Sequence, residues 1–428
     1  MTPRSALRRY LLVCFLTWLP SGLMMTTMIL LMTERGLSLA QIGVAFTVFS
    51  VVTLSLELPT GGLADVVGRR VVLAVSAAFT VVSLTLMAVS TTFWMFVLTG
   101  VLKGVARALS SGPATSWYVD TLHDLEGRDA DLRPGLSRGG AMESAALCLG
   151  VLAGGFVPLV VPPAVLLPLA APPLLGAAAA AMLLAVVLLA LPEPSHRRAS
   201  LGETLRAVPA TVLSSLRLAT RHAVLRRLMV YAVVTGVALT AVELLTPGRL
   251  ARLAGSAELG GTAYALVAAL GFAGSSVGNT VAPRAARLAG GPVRGAALGV
   301  VLAALSLGAL AATAELSGAS GLATAGTAYV VMFVGLSITS MLCLEMTHHA
   351  VTAAERTTVA STSSLALQAG GALSNVGLGV LATGWGTGVA WGLAAVLMAA
   401  SALLFARMPA PAPAGGPLAA ASQRLGSA

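Results

Sequence analysis

The chain is a succession of long apolar runs separated by short polar stretches. Twelve runs reach the length of about 20 residues that a helix needs to cross a bilayer. They fall at 10–32, 39–60, 71–91, 93–117, 139–161, 166–191, 227–247, 262–283, 292–314, 321–345, 358–381 and 386–406. Each run is continuous, without the alternation of barrel strands, so helices are predicted. The expected fold is an all-α polytopic membrane protein of 12 transmembrane helices in two pseudo-symmetric six-helix bundles. The first bundle occupies 1–191 and the second 227–407, with a central loop at 192–226 between them. Residues 408–428 are rich in Pro, Ala and Gly and predict a disordered tail. Gly61 to Arg70 reads as a charged turn joining the second and third spans.

Charge placement orients these spans. Of the 26 Lys and Arg, 21 lie at the N-terminus, in the even-numbered loops and in the tail. Arg35, Arg249 and Arg252 fall in the loops of the other side. Positive residues stay on the cytoplasmic side, so both termini, the Gly61–Arg70 turn and the central loop are expected there. Arg4, Arg8 and Arg9 precede the first run as in a signal peptide. That run is too long for a signal sequence and is expected to remain as the first span. From Pro192 to Arg227 the chain carries seven arginines with apolar residues between them. It reads equally as a surface-lying amphipathic helix or as a connecting loop.

Composition agrees. Charged residues make up 10% of the chain, against about 25% in soluble domains. The net charge of +10 is spread over span ends, not gathered into a patch fit for nucleic acid. Cys14, Cys148 and Cys343 sit within apolar runs at no metal-like spacing. His348 and His349 have no evident third ligand. No phosphate-cradling loop or catalytic constellation appears, so no enzyme activity, cofactor or metal is expected. The near-exclusive use of Arg over Lys, with abundant Ala and Gly, suggests GC-rich coding and a bacterial inner membrane.

The halves resemble each other. Leu149–Phe156 and Leu378–Trp385 agree at six of eight positions, as a duplicated six-helix unit predicts. Gly278 to Arg284 reads as a faded copy of the Gly61–Arg70 turn, with the acid lost.

Gly61, Leu63, Ala64, Asp65, Gly68, Arg69 and Arg70 match the pattern G-x-L-A-D-x-x-G-R-R/K. With twelve spans in two sets of six, the chain resembles the major facilitator superfamily over residues 1 to about 407. The resemblance implies alternating access, with two bundles rocking about a central site. Two further family signatures are partial. The fourth-span signature would place an arginine at Gly100, and here the cations are Lys103 and Arg107. The fifth-span antiporter signature keeps Gly150, Gly154 and Gly155 but lacks its proline.

Asp65 and Arg69 are spaced i,i+4, acid first, and Asp120 ends the fourth span on the same side. A latch of Asp65, Arg69 and Asp120 is expected, with Gly61, Gly68 and Arg70 from the same motif. In the family such a cluster fastens the bundles in the outward-facing state. The plainer reading is that Arg69 and Arg70 only hold the loop inside.

Lys103 is the only lysine in the chain and lies near the middle of its span. A charge there costs from ~2.5 to over ~10 kcal/mol unless a partner or wet cavity receives it. Lys103, Arg107 one turn on, and Gln368 are the candidate substrate pathway. Glu57, near the cytoplasmic end of its span, and Glu243, near the outer end, are the proton-coupling candidates. Met24, Met25 and Met28 read as packing or as an adaptable wall for greasy substrates.

The expected function is secondary active transport of a small molecule across a lipid bilayer, by a monomer. Proton-coupled efflux of drug-like or natural-product molecules leads. Proton symport of a small organic anion or nutrient is the second reading, and a non-transporting scaffold or sensor the third.

Overall fold

The structure is a computed structural model that describes residues 1–127, 129–193, 223–351, 356–406 and 408. Most of the central loop, including its possible amphipathic helix, and the tail beyond Met408 lie outside these residues. In chain order the helices are α1 (Pro3–Met25), α2 (Met28–Glu34), α3 (Leu39–Val67), α4 (Arg69–Val89), α5 (Phe93–Ser110), α6 (Pro113–Glu126) and α7 (Arg133–Phe156). They continue as α8 (Ala171–Ala190), α9 (Ala223–Ala254), α10 (Ala257–Leu288), α11 (Pro292–Ala312), α12 (Gly318–Ala350), α13 (Arg356–Trp385) and α14 (Thr387–Ala406). Among the described residues, eleven helical segments are long and apolar enough to cross a membrane, and the bent pair α1–α2, taken as one span, brings the number to 12. The protein is a multi-pass membrane protein. With twelve spans the start of α1 and the end of α14 share one face, here the terminal face; the other is the opposite face.

Several spans run further than their apolar cores. Helix α3 continues through Gly61 to Val67, so the expected ten-residue turn shrinks to Gly68 alone. Gly68 adopts φ +109°, a region that L side chains rarely enter. Helix α10 likewise absorbs Gly278 to Arg284, and its turn falls at Gly290 and Gly291. The faded copy of the signature is therefore helix. Helix α9 extends to Ala254 and takes in Arg249 and Arg252, which are not loop residues. Arg249 is buried and donates to the carbonyls of Thr313 and Leu316.

The duplication appears in the packing. Helix α7 lies against α1 and α10, and α13 lies against α9 and α3. Gly22 of α1 abuts the Leu147 carbonyl, as Gly236 of α9 abuts that of Leu367. Gly150 faces the Leu19 carbonyl, as Gly370 faces that of Val233. The structure thus equates Gly150 with Gly370, whereas the sequence match paired it with Gly379. Glycine recurs wherever two helices approach closely, so an eight-residue match in such helices slips by whole turns at little cost. Serine side chains cap the two equivalent helix starts, with Ser38 accepting from Gln41 N and Ser256 from Leu259 N.

The halves meet toward the opposite face. Ala40 N donates to Thr383 Oγ1 at 3.1 Å and Thr47 Oγ1 to the Ala372 carbonyl at 3.0 Å. Thr262 Oγ1 donates to the Gly155 carbonyl at 2.7 Å. Gly43 lies hard against the Asn375 carbonyl and Gly379 against that of Leu39.

Candidate functional site

Between the halves lies a cavity of about 460 Å³. Its apolar wall includes Met24, Met25, Met28, Met32, Phe46 and Phe49. Its polar groups are Lys103, Arg107, Glu243, Gln368 and Asn375, with hydroxyls of Ser21, Ser50, Thr53 and Thr240 among them. The substrate-pathway residues Lys103, Arg107 and Gln368 all come together here.

The position of Glu243 differs from the sequence expectation. Reading the span as 227–247 set Glu243 beside its outer end. Because α9 runs on to Ala254, Glu243 lies roughly 16 Å from the helix end, at 1.5 Å per residue. Lys103 lies roughly 15 Å along α5 from its start at Phe93, by the same rise. The two charges therefore share one depth, from opposite halves, and are near enough to interact electrostatically. Val242, Leu244 and Leu245 are buried in helix contacts, while the Glu243 side chain is open to the cavity. Lys103 Nζ donates to Met24 Sδ at 3.0 Å and stands 5.1 Å from the Phe49 ring centre.

Arg107 stacks on Trp18 at 4.6 Å and feels the charges of Glu57 and Glu143. Glu57 spans the two halves. Its Oε1 accepts from Ser111 Oγ and its Oε2 from Gln368 Nε2, both at 3.4 Å. Beside the cavity, span one breaks at Thr26 and Thr27 with a bend of 41°. Both hydroxyls are buried without a hydrogen-bond partner among the described residues. The methionines of α1 and α2 flank this break; Met24 and Met32 are buried in helix packing, and with Met25 and Met28 they also border the cavity.

The signature residues form a separate cluster on the terminal face. Arg69 pairs with Asp120, and its Nη1 also donates to the Ser116 carbonyl at 2.5 Å. The surroundings of Gly61 and the side chain of Asp65 fall outside the described residues, and so does the Asp65 part of the latch. The helix break at Gly68 separates Asp65, at the end of α3, from Arg69, at the start of α4, so the two do not share a helical turn. At the start of α4 stands Glu193, whose two carboxylate oxygens accept from Arg69 N at 2.8 Å and Arg70 N at 3.1 Å. A carboxylate there satisfies free N–H groups and complements the helix dipole. Arg70 donates to the Leu188 carbonyl, and Trp117 Nε1 to the Pro192 carbonyl at 2.8 Å. Glu193 lies 124 residues from Arg69 in sequence, and no local pattern could have revealed it. The partners described for this cluster belong to the first half and the chain leaving it.

Replacing Glu193 with Ala should lower stability by about 1 kcal/mol, the usual worth of a lost N-terminal cap. Denaturation in detergent measures it, with Glu193→Gln recovering part of the loss. An unchanged midpoint in Glu193→Ala would contradict the capping role.

The sequence matches the family model of the Major Facilitator Superfamily over residues 10–375. The chain belongs to the Major Facilitator Superfamily. No curated protein matches its sequence. Among solved structures, the nucleoside transporter NupG superposes with a TM-score of 0.77 at 14% identity, over 94% of this chain and 98% of its own. A D-xylose–proton symporter gives 0.67 at 14% identity, over 96% and 97%. A mutant of the peptide transporter POT in complex with sulfate gives 0.69 at 15% identity, over 94% and 93%. At such identities the likeness shows the fold, and the fold is that of a transporter. For a Major Facilitator Superfamily protein, a cavity between the halves is where a carried molecule would sit.

Proposed function

We propose that this protein is a proton-coupled symporter of small organic anions with an apolar body. The observation that carries the reading is Lys103 facing Glu243 across the two halves of one cavity. When Glu243 is ionised, each charge compensates the other and the empty carrier can change conformation. When Glu243 is protonated, Lys103 is left as an uncompensated cation in a poorly solvated cavity, which is costly. An arriving anion removes that cost. Proton and anion therefore favour each other, and the half-loaded states, with one bound alone, carry an unpaired charge. Coupled movement in one direction follows from this linkage.

The apolar wall supports the second part of the reading. Methionine side chains adapt to irregular apolar shapes, and Phe46, Phe49 and Tyr264 add broad faces. Gln368 and Asn375 supply amides that orient a polar group. Arg107 offers a second cationic rung toward the terminal face, which we take as cytoplasmic in a bacterial inner membrane. Glu57, bonded across the halves to Gln368, is placed to gate that side. The Arg69–Asp120 pair, with Asp65, retains the latch role that the signature implies. Export of greasy molecules by proton antiport is the second reading, favoured by the methionine wall. Lys103 and Arg107 disfavour cationic cargo for it.

Lys103→Met tests the proposal in proteoliposomes, with a panel of aromatic and aliphatic monocarboxylates under an imposed pH gradient. The wild type should accumulate at least one of them. The variant should show a KM raised by about tenfold to a hundredfold, the worth of one charge-assisted hydrogen bond. Undiminished uptake of the same anion by Lys103→Met would defeat the reading.

A further inference from the structure

The seam at the opposite face holds two acids that the central cavity does not use. Leu30 of α2, in the first half, packs on Gly261 of α10, in the second. A Cβ at Gly261 would meet Leu30 Cδ1 at 3.6 Å. The two helices run in opposite senses there, α2 toward the face and α10 away from it. One turn further out on each stand Glu34, four residues past Leu30, and Glu258, three before Gly261. Residues three or four apart share a helix face, so the two carboxylates stand opposite each other across the seam. Glu34 accordingly feels the charge of Glu258.

The other charged residues of that face are Arg35, Arg249, Arg252 and Glu315. Arg35 lies beside Glu34 and offsets part of the repulsion, but it makes no ion pair with either acid among the described residues. Arg249 is committed to the Thr313 and Leu316 carbonyls, and Arg252 to Thr387 Oγ1 at 3.5 Å. Glu315 stands near Arg249. Helix α3 and the turn Pro168–Ala170, which pack against α2, bring no charged residue to this face. Neither do α7, α11 and α12, which pack against α10.

Two carboxylates brought together do not both ionise freely, and the pair holds a proton more tightly than either acid alone. Opposite charges at this place would clasp the seam at every pH. Two acids favour closure only while one of them is protonated. We propose that Glu34 and Glu258 are a proton-sensitive release for the opposite face, closing the halves with one acid protonated and driving them apart with both ionised. Closing binds one proton from the medium at that face, and opening returns it. Glu34 is exposed and Glu258 half-buried, so the proton exchanges with that side alone. The closed state gains stability at low pH, and the gain is lost as pH rises through the value at which the closed pair gives up its proton. The device does not depend on what the central cavity carries. On the symport reading above, it keeps strong external acid from driving unlimited uptake.

The test uses the full-length protein in lipid nanodiscs, with Cys14, Cys148 and Cys343 replaced by Ala. Thr91→Cys in the first half and Ala319→Cys in the second, both exposed at the opposite face, carry spin labels. Electron–electron double resonance then reads the ratio of closed to open seam at about pH 4.5 and about pH 7.5, on either side of the range where a paired glutamate titrates. Between those values the ratio should fall about two- to fivefold more in this protein than in its Glu34→Gln or Glu258→Gln variant. That is the worth of one like-charge contact in a largely aqueous setting. The double variant should match either single one, since one glutamine already removes the interaction. Salt at about 1 M should shrink the difference, as exposed charges require. Glu243 is present in all four proteins and cancels from the comparison.

An equal pH response in the parent and both single variants overturns the proposal. So does a double variant whose effect is the full sum of the two, which would give the acids unrelated roles. A seam that stays closed at both pH values in every protein, or one that opens as pH falls, also overturns it. No carried molecule is present in these measurements, so their failure is distinct from failure of the central-cavity reading.

Discussion

Glu243→Gln will still exchange anion across the membrane but will not accumulate it against a gradient. Glutamine imitates the protonated carboxyl in shape and neutrality. Lys103 then has no internal counter-charge at any pH, and the anion becomes its lasting partner. Exchange of labelled for unlabelled anion requires only the loaded carrier, and it survives. Net uptake also requires the empty carrier to return. With Lys103 unpaired, that step carries a bare cation through a low-dielectric passage, at a cost of several kcal/mol in such settings. Gradient-driven accumulation should fall to the level of liposomes lacking protein, while exchange remains within about threefold of wild type. Equal loss of both activities would point to a structural role for Glu243. Undiminished accumulation would remove it from coupling altogether.

The second large effect is at the opposite-face seam. Gly43→Val would drive a side chain into the Asn375 carbonyl of the other half. Backbone on both sides of the contact leaves little room for relaxation, and overpacking of this kind costs about 1–3 kcal/mol or more. The strain falls only on the state in which the halves meet at that face. Both net uptake and exchange should therefore be lost, because both require the face to close. Gly377→Val is the matched control. It lies on the same helix as Asn375, and a Cβ there meets nothing within 4 Å. It should transport as the wild type does. A Gly43→Val protein that retains full exchange would mean that the face closes during transport without this contact.

The run of apolar segments made the membrane fold and the division into halves legible, because bilayer thickness imposes a length that the sequence must meet. The charge at Lys103 was legible for the same reason, since an ammonium at that depth has to be accounted for. The depth of Glu243 was not. Hydropathy marks where apolar residues stop, and α9 continues past that point with Pro247, Arg249 and Arg252 still helical. The signature turn misled in a related way. Polar residues suggested a loop, yet only Gly68 leaves the helix, so the expected Asp65–Arg69 turn does not exist. Glu193 and the Gly150–Gly370 equivalence were hidden for different reasons. The first depends on a contact distant in sequence. The second was obscured by glycine and alanine recurring at every close helix contact. The methionines of span one were noticed, but their role depended on the break at Thr26 and Thr27, which no residue there announces.

The direction of the linkage between proton and anion is the centre of this account. It is measured by reconstituting the protein in liposomes with a pH-sensitive dye inside, then adding the transported anion outside with no imposed pH gradient. Symport predicts acidification of the lumen as anion enters, absent in Glu243→Gln and in liposomes without protein. Alkalinisation of the lumen on anion entry, or entry with no proton movement, would contradict it.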